Sequence, residues 1–113
     1  MSRKFSYFST VAFALVIGVI QIASADWARF TPTAVGCFED GTCFIEVSPA
    51  VPNTITSCAL RDQVRFSIST VGGPEMYKTA LAALLAGRPL DINTGNLTNC
   101  LGEYPGVWYL LVR

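Results

Sequence analysis

The clearest alternation in the chain runs from Gln63 to Ser69. Val64, Phe66 and Ile68 fall on one face and Arg65, Ser67 and Ser69 on the other, which predicts a half-buried strand. Two earlier segments read the same way. Trp27 to Cys37 is rich in Phe, Thr, Val and Trp, and from Cys43 to Ser48 Ile45 and Val47 alternate with Phe44, Glu46 and Ser48. Asp40-Gly41 between them predicts a hairpin turn. Pro32 cannot donate to a ladder, so the first strand is expected to carry an edge or a bulge there. Residues 48–57, with Pro49 and Pro52, read as an exposed excursion.

After Ser69 the period changes. Gly72-Gly73-Pro74-Glu75 is a helix start: proline suits the first helical position, and Glu75 lies near the positive end of the dipole. Tyr77, Ala80, Leu81, Leu84 and Leu85 follow at helical spacing, and Gly87 with Pro89 supplies the stop. Leu90 and Ile92 alternate with Asp91 and Asn93 in a short strand, and Thr94 to Pro105 is a polar loop. Gly106 to Arg113 is apolar on both faces, which predicts a central or interface strand. The order is β-β-β-α-β-β. A five-stranded antiparallel barrel of the OB type is the economical closure, because it leaves few unpaired edges. An open α+β sheet with the helix on one face is the alternative.

The first 25 residues have a different purpose. Arg3 and Lys4 precede an apolar run from Val11 to Ile22, and Ala23-Ser24-Ala25 offers small residues where a signal peptidase reads. This is the layout of a secretory signal peptide over 1–25, cleaved before Asp26, with a single domain over 26–113. The run falls short of the ~20 apolar residues that a spanning helix needs, so no membrane span is expected after cleavage. The protein is thus expected to be exported, to the periplasm or the medium.

Removing that segment leaves six basic against eight acidic side chains, a net charge of −2. Six scattered cations do not make a phosphate-binding groove, so nucleic acid is not an expected partner. The chain contains no histidine, which removes the usual general base and the commonest metal ligand. All four cysteines, Cys37, Cys43, Cys58 and Cys100, lie in the exported part, where an even count reads as disulfides. Their spacings of 6, 15 and 42 do not supply the close pairs of a four-thiolate zinc site. Three pairings exist in principle; a bridge across the Asp40-Gly41 turn joins Cys37 to Cys43 and leaves Cys58 with Cys100.

The run Cys43-Phe44-Ile45-Glu46, then Ser57-Cys58-Ala59-Leu60, Phe66-Ser67, and the helix end Ala86-Gly87-Arg88-Pro89-Leu90-Asp91-Ile92 resembles the binding subunits of the subtilase cytotoxin and typhoid toxin type. The start Asp26-Trp27 is similar to theirs as well. The resemblance implies an exported OB-fold protein, a pentameric ring and recognition of sialylated glycans. It also implies that Thr31, following the aromatic Phe30, stands where those subunits place a sugar-contacting serine. The chain departs from that pattern in a shorter segment after Asn93 and in the extra Cys37 and Cys43 pair.

Arg29, Phe30 and Thr31 are therefore the candidate ligand-binding residues: a guanidinium for a carboxylate, an aromatic face and a hydroxyl. The plainer account of Arg29 is a solvated edge-strand charge. Trp27, Tyr104 and Trp108 are further aromatics at strand ends or outer positions, for which core packing is the simpler role, with a subunit interface as the other simple role for Trp108. Glu39 with Asp40, and Arg61 with Asp62, are the charged pairs left for catalysis. Both sit by turns and neither forms a nucleophile-base pair, so no enzymatic activity, cofactor or metal is expected. Asn96-Leu97-Thr98 matches a glycosylation sequon and reads as a polar loop. The expected function is an exported, non-catalytic binding protein, for a glycan or, as the alternative, for a partner protein in the envelope.

Overall fold

A computed structural model describes residues 27–113; the expected signal peptide, 1–25, lies outside the described residues. The strands are β1 (Trp27–Cys37), β2 (Thr42–Ser48), β3 (Gln63–Ser67), β4 (Leu90–Asn93), β5 (Cys100–Leu101), β6 (Tyr104–Pro105) and β7 (Tyr109–Val112), with the helix α1 (Gly73–Ala86) between β3 and β4. Five strands form one antiparallel sheet in the order β3-β2-β1-β4-β7, and β5 with β6 makes a small separate hairpin.

The long first strand serves two partners in turn. Trp27 to Phe30 pair with β4, and Thr31 to Cys37 pair with β2. Pro32 sits at the changeover, where the register slips by one residue between Pro32 and Ala34, so the expected bulge absorbs the missing N–H. The β1–β2 turn closes through Phe38 N–H to Thr42 O (2.8 Å), and Asp40 Oδ1 accepts the Thr42 N–H. Gly41 takes the positive φ of 90° that this turn needs. The disulfides are Cys37–Cys43 across the hairpin and Cys58–Cys100, which ties the loop after β2 to β5.

Phe30, Ile45, Val64, Phe66, Leu90 and Ile92 fill the core under the helix. In four places the packing departs from the sequence pattern. Residues 48–57 are not an exposed excursion, because Val51, Ile55 and Thr56 are buried. Their backbone is satisfied from neighbouring elements: Val51 N–H donates to Arg61 O, and Thr94 Oγ1 donates to Ile55 O. Of the predicted helix stripe, Ala80 is buried and Tyr77 packs against the core, but Leu85 is exposed, and the buried side is shifted toward Gly73 and Ala83. Small residues win here because the helix start lies against the end of β3; a Cβ on Gly73 would stand 2.1 Å from Ser67 O. Gly87 ends the helix in the left-handed region as predicted.

The last two departures concern the sheet edges. The final strand is an edge and not a central strand, with only Leu110 of its four residues buried. The sheet also stays open. β3 and β7 do not pair; one isolated parallel bridge, Arg65 with Gly106, joins β3 to the segment leading into β7. β3 stops at Ser67, where Thr70 Oγ1 and N–H both donate to Ser67 O and turn the chain toward the helix, so it is too short to reach β7. No helix among the described residues is long and apolar enough to cross a membrane.

Candidate binding face

Side chains of β1 alternate between the two faces of the sheet. Phe30, 2% exposed, points into the core, while Trp27, Arg29 and Thr31 point outward. Of the three candidate residues, Arg29 and Thr31 therefore share a surface, and the Phe30 ring supports it from beneath. Register extends that surface across the sheet. Trp27 lies opposite Asn93 and Asn93 opposite Tyr109; Arg29 lies opposite Asp91 and Asp91 opposite Leu111. Two cross-strand rows result, one aromatic at both ends and one charged at its centre.

Asp91 is the organising group. It lies on the outer face yet is only 4% exposed, because neighbouring side chains cover it. Its Oδ1 accepts from Arg29 Nε (2.7 Å), and its Oδ2 accepts from Arg113 Nε (2.6 Å) and Arg29 Nη2 (3.3 Å). The hydrogen bond from Arg29 is the main cause that holds the Asp91 carboxyl below the ordinary carboxylate range; burial opposes it, and Arg113 adds to it. Arg29 is held more firmly protonated by the same contact. Two guanidiniums share one carboxylate, so the cluster keeps an excess positive charge, and each arginine side chain remains about half exposed. Trp27, Tyr109, Leu111 and Arg113 rim a small cavity over Asp91 and Ile92.

That arrangement offers donors, a cation and two aromatic side chains on a rigid surface. It presents no nucleophile beside a base. Asp40 caps the hairpin turn, which holds its carboxyl low through the Thr42 N–H, and Arg61 donates to Val51 O (2.9 Å). Among the described residues no group of three or more His, Cys, Asp and Glu side chains comes together to hold a metal.

The other aromatics are placed elsewhere. Arg65 is stacked between Phe38 (5.1 Å) and Tyr104 (4.1 Å), with Gln63 Oε1 accepting from its Nε and Nη2, a clamp that fastens the β5–β6 hairpin over β3. Trp108, 70% exposed, lies against Gly95, whose Cβ would meet the indole at 3.2 Å. Asn96 Oδ1 accepts from the Thr98 N–H and hydroxyl, so the sequon forms a polar turn.

Sequence reasoning missed Asp91, Tyr109, Leu111 and Arg113 as parts of this face. Asp91 reads as an ordinary polar position in a short alternating strand, and no local signal links residues 29, 91 and 113. No protein-family model, curated protein or solved structure matches the chain.

Proposed function

We infer that this is an exported, non-catalytic binding protein whose outer β1–β4–β7 face holds a glycan. The observation that carries the reading is the Trp27, Arg29, Thr31 and Tyr109 surface, with its guanidiniums oriented by the buried Asp91. Sugars are held by aromatic faces beside directional donors, and a carboxylated sugar also gains from an arginine fork. Two disulfides suit a non-reducing compartment, outside the cell or in the periplasm.

An OB-like architecture is part of the same reading. It is supported by the strand order, by the helix between β3 and β4, and by the parallel bridge that brings Gly106 to the edge of β3. A glycan array probed with the oxidised protein tests the function. Binding is expected to weaken at least tenfold in both Thr31→Ala and Trp27→Ala. Both positions are exposed, so neither substitution opens the core. A folded protein that binds no glycan but retains a protein partner on purification would favour the envelope-interaction alternative, for which the 70% exposed Trp108 is the natural anchor.

A further inference from the structure

One edge of the sheet is left uncovered by the described residues. β7 pairs with β4 on one side only, and Tyr109, Leu111 and Val112 are 46%, 47% and 42% exposed. Sheet edges in water are ordinarily blunted by a charge, a proline or a bulge, and Tyr109-Leu110-Leu111-Val112 contains none of these. The other edge is treated differently: Val107 N–H donates to Arg65 O, and the Arg65 clamp lies over β3.

The ladder fixes which peptide groups reach the open edge. Arg113 N–H donates to Pro89 O (2.9 Å), and Leu111 pairs with Asp91. Antiparallel alternation then turns the peptide groups of Tyr109 and Leu111 toward β4 and those of Leu110 and Val112 outward. A second copy, antiparallel about a two-fold axis at Leu111, meets them with its own: Leu110 faces Val112 of the copy and the reverse. Leu111 then lies against itself at the close, non-hydrogen-bonded position. Tyr109 faces Arg113 of the copy on the same surface. Arg113 has committed Nε to Asp91, but its side chain is 53% exposed, which leaves a guanidinium face for the ring. The strand is self-complementary, with a ring and a cation equidistant from one leucine.

We propose that β7 is a homodimerisation edge, at which two copies of the chain join β7 to β7 antiparallel about Leu111. The joined sheet is continuous, and because the axis is perpendicular to it, both Trp27, Arg29 and Thr31 surfaces face the same way. The dimer rests on the edge geometry of β7 and not on a bound glycan, with Tyr109 bordering both the pair and the proposed glycan surface, and it is a two-fold pair where the resemblance implied a five-fold ring.

Light scattering on the purified, oxidised protein tests this. The wild type is expected at twice the chain mass. Leu111→Lys and Leu111→Glu each bring like charges together across the axis and are expected at half that mass, and an equimolar mixture of the two is expected to regain the dimer. Val112→Pro removes only a donor that faces the open edge and is expected to be monomeric with an unchanged circular-dichroism spectrum, which separates loss of pairing from loss of folding. A monomeric or pentameric wild type, or charge variants whose mixture stays monomeric, would overturn the proposal.

Discussion

Asp91→Asn removes the charge that holds Arg29 and Arg113 on the outer face while keeping the side chain's size. An amide can accept from one arginine, but it turns its NH2 toward the donors of the other. Hydrogen bonds to charged groups are worth roughly 1.5–3 kcal/mol each when well buried. Here both arginines are a little over half exposed, so solvent screening takes their contacts below that range. With the carboxylate itself almost buried, a loss of about 2 kcal/mol is expected. Urea unfolding followed by tryptophan fluorescence should show it as a midpoint lowered by about 0.7–2 M, given slopes of roughly 1–3 kcal/mol/M for small domains. The pH dependence supplies an internal check. The folded carboxyl titrates below its unfolded value of about 3.9, so its contribution is complete above that pH and is lost as pH falls through the lower folded value. The gap between wild type and variant should therefore be full at pH 7 and narrow progressively below about pH 4. A gap under ~0.5 kcal/mol at pH 7, or one unchanged at pH 3, would refute the assignment of Asp91 as the ionised centre of this face.

The two disulfides should contribute unequally. Loop-closure entropy gives about 4 kcal/mol for Cys58–Cys100, with its separation of 42, and about 2 kcal/mol for Cys37–Cys43, with its separation of 6, so paired alanine substitutions should lower the melting temperature about twice as far for the first. Ile55→Ala should cost about 2–4 kcal/mol by denaturant titration, as a core residue does, whereas Leu85→Ala should stay within ~0.5 kcal/mol; equal losses would contradict the packing of the 48–57 segment and the rotation of the helix. Gly73→Ala should destabilise by about 1–3 kcal/mol despite alanine's better helix propensity, because the new Cβ collides with Ser67 O; a stabilised variant would argue against the close docking of the helix on β3.

Local chemistry made some of this structure readable from sequence. Asp40-Gly41 between two cysteines identifies a hairpin and its bridge, and Gly72 to Glu75 with Gly87 brackets a helix, because caps and turns are decided within a few residues. What depends on distant packing was not readable. Val51 and Ile55 lie among prolines and threonines, and only the Thr94 and Arg61 contacts make their burial affordable for the backbone. The helix stripe was right at Tyr77 and Ala80 and misplaced at Leu85, because leucines outrank alanines in hydrophobicity, whereas a close approach at Gly73 favours alanines such as Ala83. For the candidate face, alternation places Arg29 and Thr31 together and sends Phe30 inward, but Asp91 joins them only through register between strands some 60 residues apart in sequence. The apolar final strand read as central or interfacial, and its place at the edge follows from β3 ending too early to meet it.

Whether the outer face is the binding surface is tested most directly by amide chemical-shift mapping of the oxidised protein titrated with sialyllactose, the simplest sialylated glycan. Shifts confined to the start of β1, to β4 and to β7, and abolished by Thr31→Ala, are the predicted result. No shifts at millimolar sugar, or shifts gathered around Trp108 and the helix with none at Arg29 and Thr31, would contradict it.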